Sequence, residues 1–229
     1  MIKFIAECGL NHNGNHDLIF ELIRQAKLSG ADVVKFQLGW RDKKNEINSL
    51  DEKRIKKIIN YCKYIQIDHM FSVLKESSLK QLMKTNPVRI KIASRTLKED
   101  FNLAKKIISK KKETYISLGM WENKKLPFKK NSKIKYLWCI SKYPTLTSDI
   151  KNFPKFFSSK TIDGYSDHTL GIETCLIAIS RGANIIEKHF TLDKSDTTIR
   201  DHVLSATPSE FLKMVEIGRE INRQIKFGV

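Results

Sequence analysis

Short apolar runs alternate with longer amphipathic stretches along the chain, and the spacing of the hydrophobic positions switches between about 2 and about 3.6 residues as they do so. Strands are predicted at Lys3–Glu7, Asp32–Gln37, His69–Val73, Arg89–Ala93, Thr114–Leu118, Tyr136–Ile140, Thr161–Tyr165 and Asn184–His189. Helices are predicted at Leu18–Ser29, Asp51–Tyr64, Ser78–Thr85, Phe101–Ser109, Leu170–Ser180 and Ser209–Lys226, with shorter pieces after Gly119 and near Ser148–Phe156. Asp17 and Thr207-Pro208-Ser209 read as helix starts, and Gly30 and Gly182 as stops. Eight β-α steps in 229 residues predict an α/β fold, a (β/α)8 TIM barrel forming one domain over residues 1–229. A doubly wound open sheet is the alternative.

A barrel of parallel strands carries its site at the carboxyl ends of the strands, so polar residues should collect there. They do. Strand one ends in Glu7 before Asn11-His12-Asn13-Gly14, strand two carries Lys35 and Gln37, and strand four carries Lys91 and leads into Ser94 and Arg95. Strand five brings Ser117, and strand six brings Ser141, Lys142 and Tyr143. Lys35 and Lys91 each stand between apolar neighbours, which turns them inward. Two inward lysines with Ser94, Ser117 and Ser166 suit a phosphate or carboxylate. Gly-x-Gly-x-x-Gly and Walker patterns are absent, so a small phosphorylated acid is expected instead of a nucleotide.

His168 and His189 each close a β-prone segment, with one helical segment between them. A right-handed β-α-β crossover brings such strand ends to the same edge, where the two imidazoles would converge. Alternation adds Ser166 and Glu187 to their faces and turns Lys188 the other way. Two neutral imidazoles beside a carboxylate suit a divalent cation such as manganese, iron, cobalt or zinc.

Composition changes this picture little. Cys8, Cys62, Cys139 and Cys175 form no C-x-x-C pair and read as reduced core thiols. The chain starts directly on a strand, and no apolar run is long enough to span a bilayer, so a soluble, cytoplasmic protein is expected. The net charge of +17 invites a nucleic-acid partner. The lysines, however, are spread over nearly every helix without interleaved aromatics, which describes a solvated surface.

Taken together, Ile5–Gly14, Val33–Gln37, Lys91-Ile92-Ala93-Ser94, Ser117-Leu118-Gly119-Met120, Tyr143-Pro144-Thr145, Gly164–Thr169 and Glu187–Thr191 resemble the sialic acid synthase family. Its members are N-acetylneuraminate synthases and their legionaminic and pseudaminic acid relatives. The resemblance implies a barrel that condenses phosphoenolpyruvate with an open-chain, N-acetylated sugar aldehyde, releasing phosphate and giving a 2-keto-3-deoxy acid. It implies that His168 and His189 hold a divalent metal, manganese foremost, with magnesium, cobalt, iron and zinc as alternatives. It further implies that Lys35, Lys91, Ser94, Ser117 and Ser166 hold phosphoenolpyruvate, that Glu7 and Glu187 orient a water, and that Tyr143 and Asp201 contact the sugar. Gln37, Ser141 and Arg200 complete the expected substrate contacts.

The chain departs from the family pattern on the sugar side. Ser94-Arg95-Thr96 stands where Ser-Gly-Glu is usual, Ile199-Arg200-Asp201 where Gly-Pro-Asp is usual, and Ser141 where an Asn is expected. Against the family pattern, the barrel is expected to stand without an antifreeze-like domain, whose sugar-covering arginine would then have to come from Arg95 or Arg200, or from a separate lid-supplying protein. A homodimer through barrel helices is the other expected partner. The added arginines suit a carboxylate or phosphate on the acceptor. Three other readings compete: a metal-dependent aldolase or lyase on the same barrel, a synthase of eight-carbon sugar acids, and a non-catalytic barrel subunit serving a full-length synthase.

Overall fold

The computed structural model describes residues 2–41 and 46–228. Eight parallel strands close into a barrel in sequence order, β1 (Lys3–Gly9), β2 (Val33–Leu38), β3 (Asp68–Val73), β4 (Arg89–Ile92), β5 (Glu113–Ser117), β6 (Ile134–Trp138), β7 (Gly164–Asp167) and β8 (Ile185–His189). The ring is completed by β1 against β8, with Glu7 opposite His189. Around it lie α1 (His16–Leu28), α2 (Glu52–Tyr64), α3 (Glu76–Met83), α4 (Ser94–Glu99), α5 (Phe101–Ser109), α6 (Glu173–Ser180) and α7 (Pro208–Lys226). The predicted barrel is therefore the fold.

Strand alternation sorts the side chains into two cores. Outward residues such as Phe4, Val34, Phe71, Ile116 and Ile186 pack against the helices in the main cluster. Inward residues Ile5, Val33, Met70, Tyr115, Leu137 and Ile185 form a separate cluster that plugs the barrel. Below the plug, Lys3 donates to the Tyr115 hydroxyl (3.2 Å), while Arg89 pairs with Asp68 (2.8 Å) and Glu113 (3.3 Å). Above it the next inward layer is polar, and that layer is the floor of the site.

The helix starts follow side-chain chemistry. Asn15, not Asp17, caps α1, its side chain accepting from the amides of Asp17 and Leu18, and Asp17 falls in the first turn. Thr207 and Glu210 form a capping box ahead of α7, with Pro208 in its first turn. Gly171 takes a positive φ of 73°, which delays α6 from the predicted Leu170 to Glu173.

Two predicted helices are absent. After Gly119 the chain runs to β6 without a helix, and Phe101 of α5 stacks on Trp121 and Phe128 (ring centroids 5.7 and 5.3 Å) in its place. Near Ser148–Phe156 there is only a 3-10 turn at Thr147–Asp149; Phe153 packs edge-on against Trp138 and Tyr165 at 5.0 and 5.2 Å and covers the barrel there. In both loops proline (Pro127 in the first, Pro144 and Pro154 in the second) disfavours a helix, and aromatic rings supply the apolar cover. Strand β7 also starts later than predicted, because Ser158–Ile162 close a turn, with the Ser158 amide donating to the Ile162 carbonyl at 2.8 Å. Conversely, α4 was not predicted; it begins at the polar Ser94 directly after β4.

Candidate active site

The inward polar layer forms a ladder of alternating charge across the barrel floor. Lys35 Nζ lies 2.6 Å from Glu7 Oε2 and 3.3 Å from Glu187 Oε1. Lys91 Nζ donates to both oxygens of Glu187, at 2.7 and 2.8 Å. Ser166 donates to Glu187 (2.8 Å), Gln37 donates to Glu7 Oε1 (2.8 Å), and Lys35 donates to Ser72 (3.3 Å). Each side chain comes from a different strand except the Lys35–Gln37 pair on β2, so the closed register of the barrel sets the ladder. Burying these four charged groups is tolerable because each is paired and hydrogen-bonded.

The charges shift one another. Burial alone would raise Glu187, but Lys35 and Lys91 outweigh it and hold the carboxyl well below its usual range. Glu7, with burial dominant and Lys35 opposing, is pushed up. Burial would lower Lys35, yet Glu187 and Glu7 raise it, whereas burial wins at Lys91 and lowers it.

His168 and His189 converge as the crossover argument requires, with ring centroids 5.4 Å apart. His168 Nδ1 sits 2.6 Å from the Ile140 carbonyl, which makes Nδ1 the donor and leaves the Nε2 lone pair free. Burial lowers the His168 pKa to about 4, and burial with His168 beside it lowers His189 further, so both rings are neutral near pH 7. His189 Nδ1 is buried with no hydrogen-bond partner, and Asp201 Oδ2 stands 3.8 Å away. Two neutral imidazoles, one tautomer-fixed and the other carrying an orphaned nitrogen, fit a divalent cation completed by water or substrate. Among the described residues no group of three or more His, Cys, Asp and Glu side chains converges on one point.

One cavity of about 370 Å³ joins these parts, lined by the lysine ladder, both histidines, Ser94, Ser117, Ser141, Tyr143, Ser166 and Arg200 among others. Thirteen of the fourteen expected site residues therefore face one space, counting every one but Asp201. Asp201 lies just outside, lining a neighbouring recess beside His189 and Arg200. Several roles are finer than expected. Gln37 holds Glu7, and Ser94 opens α4 while accepting from the Gly119 amide (3.0 Å). Ser141 turns a buried hydroxyl toward the cavity without any partner. Thr96, where a family carboxylate is usual, is buried and donates to the Val73 carbonyl (3.2 Å), leaving Arg95 at the mouth.

Sequence reasoning missed Ser72, Trp40 and Met120 in the lining. Ser72 was within reach, since it shares the inward face with Met70 by simple alternation. Lys188 points outward as expected, but it is fully buried there, 2.6 Å from Asp167 and donating to the Thr169 carbonyl. All four cysteines are free and buried. No helix among the described residues is long and apolar enough to cross a membrane.

The NeuB family profile matches residues 42–229 of the chain. An uncharacterized protein of Methanocaldococcus jannaschii is 37% identical, over 98% of this chain and 72% of its own length. N,N'-diacetyllegionaminic acid synthase of Legionella pneumophila is 32% identical, over 98% of this chain and 73% of its length. The N-acetylneuraminic acid synthetase of Leptospira borgpetersenii, solved with citrate, superposes with a TM-score of 0.87 at 26% identity, covering all of this chain and 86% of that one.

Proposed function

The chain belongs to the NeuB family of synthases, and from that premise we propose that it condenses phosphoenolpyruvate with the open-chain aldehyde of a sugar, giving a 2-keto-3-deoxy sugar acid and phosphate. The observation that carries this reading is the placement of the Glu7–Lys35–Glu187–Lys91 ladder and the histidine pair around one cavity. An anionic substrate and an electrophile-activating centre can meet there.

In this reading Lys91, with one ammonium N–H beyond its two contacts to Glu187, and Lys35 take the phosphate and carboxylate of phosphoenolpyruvate together with Ser94, Ser117, Ser166 and the unpartnered Ser141 hydroxyl. Tyr143, whose ring lies 4.2 Å from that of His168, and Asp201 place the sugar chain. His168 and His189 would hold a divalent ion such as manganese, which when bound supplies Lewis-acid polarisation of the aldehyde.

C3 of phosphoenolpyruvate bonds to the aldehyde carbon, whose oxygen becomes a hydroxyl, and positive charge develops at C2. Water adds at C2 and gives up a proton. The ester bond between C2 and the bridging oxygen then breaks, so phosphate leaves with that oxygen and takes up the second water proton as C2 becomes the keto carbon, the first water proton having gone to the former aldehyde oxygen. Glu7 is the better proton acceptor of the two carboxylates on geometry: both oxygens of Glu187 are filled by Lys91 and Ser166, whereas Glu7 Oε2 is approached by Lys35 alone. Lys35 and Lys91 stabilise charge on the departing phosphate.

Titration calorimetry with phosphoenolpyruvate and manganese tests the reading. The wild-type chain binds, and Lys35→Ala and Lys91→Ala weaken binding at least about tenfold, the loss expected for one charge-assisted contact. No binding to the wild-type chain would remove the reading.

A further inference from the structure

Outside the ladder lies a second concentration of positive charge that the proposed chemistry leaves unused. Arg95 enters the mouth from the first turn of α4, and its guanidinium stacks on the Trp40 ring at 5.1 Å. Arg200 enters from beyond β8 and stacks on the Tyr143 ring at 4.7 Å. Both line the main cavity, and both also line the adjoining recess of about 450 Å³, where Arg41 joins them.

Two features distinguish this rim from an ordinary basic surface. Stacking fixes the guanidinium planes, and the two terminal nitrogens of each form an edge that can donate to an oxyanion end-on. The rim charge is also more loosely matched. On the floor Lys35 and Lys91 lie 2.6 and 2.7 Å from their carboxylates, whereas at the rim Glu99 and Asp201 stand 3.6 and 3.5 Å from the Nε atoms of Arg95 and Arg200. Lys142, the other cation of the lining, is held by Asp149 at 2.7 Å. Thr96, uncharged and donating to the Val73 carbonyl, supplies no counter-charge.

We propose that Arg95 and Arg200 form an anion subsite for the acceptor, which is an aldose bearing a carboxylate or phosphate at the end remote from its aldehyde. This rests on the function proposed above. An acceptor whose aldehyde reaches the histidine pair extends its other end toward the mouth that the two arginines share with the recess.

The test measures phosphate release from phosphoenolpyruvate with three acceptors: an N-acetylhexosamine, its 6-phosphate, and the corresponding hexuronic acid. The subsite predicts a KM at least about tenfold lower for one charged acceptor than for the neutral sugar, and the comparison of the two charged sugars identifies phosphate or carboxylate. Arg95→Ala and Arg200→Ala each raise the KM of that charged acceptor about 10- to 100-fold, with the KM for phosphoenolpyruvate within about twofold of wild type. Arg95→Lys recovers only part of the loss, since an ammonium cannot make the paired contact. Equal KM values for charged and neutral sugars, or variants that raise the KM for phosphoenolpyruvate instead, overturn the subsite while leaving the proposed reaction standing. If no acceptor supports release, the proposed reaction itself fails, and equilibrium binding of the same three sugars in the presence of phosphoenolpyruvate decides the subsite separately. Tighter binding of a charged sugar, lost in Arg200→Ala, supports it; equal binding overturns it.

Discussion

Lys91 reaches from β4 across the barrel to Glu187 on β8 and donates to both carboxylate oxygens, at 2.7 and 2.8 Å, with both side chains buried. A buried pair of this kind costs more to break than to replace. Lys91→Met leaves Glu187 with Lys35 and Ser166 and should destabilise the fold by about 3 kcal/mol, whereas Lys91→Met with Glu187→Gln should recover part of that loss. Urea unfolding of the single and double variants measures the coupling. Strict additivity of the two single changes would show that the pair does not act as a unit.

Lys188 and Asp167 form a second buried pair on the opposite face of the sheet, supported by the Tyr165 hydroxyl donating to Asp167 at 2.6 Å. Nothing in the cavity touches it, so its role is to hold β7 against β8 beneath α6. Lys188→Met is expected to cost about 3–5 kcal/mol, visible as a lower urea midpoint with the slope unchanged. An unaltered midpoint would mean that the pair contributes nothing net.

The Ser141 hydroxyl is buried and unpartnered in the free protein. Removing a group that makes no hydrogen bond should leave stability within about 0.5 kcal/mol of wild type or raise it slightly. The same Ser141→Ala change should raise the KM for substrate, because the hydroxyl is aimed into the cavity. A marked loss of stability would show instead that Ser141 serves the fold.

At Gly164 a Cβ would fall 1.9 Å from the Ile185 carbonyl oxygen, on backbone that cannot yield without opening β7 from β8. Gly164→Ala should therefore cost more than about 4 kcal/mol and place the variant in the insoluble fraction on expression. Soluble Gly164→Ala protein with a wild-type Tm would contradict the tight β7–β8 approach.

How much of this was legible in the sequence follows from which forces are local. Strand alternation placed Lys35, Lys91 and Glu187 inward, and one β-α-β step placed His168 beside His189, because both arguments depend only on spacing. The Thr207 cap was readable because its partners lie within one turn. Between β5 and β6 and between β6 and β7, periodicity suggested helices, but contacts distant in sequence fill those places with Trp121, Phe128 and Phe153. The same limit applied to the site. That Lys35 and Lys91 are paired with Glu7 and Glu187, or that Arg95 lies on Trp40, depends on closure of the whole barrel.

The central claim is tested most directly by running the condensation in water enriched in oxygen-18, with manganese, phosphoenolpyruvate and the aldose panel, and with His168→Ala as the blank. The account predicts phosphate release that depends on a sugar, one phosphate for each 2-keto-3-deoxy acid formed, no oxygen-18 in that phosphate, and no release by the blank. Sugar-independent release would contradict carbon–carbon bond formation at this site, and phosphate carrying solvent oxygen would place water attack at phosphorus and contradict its addition at C2.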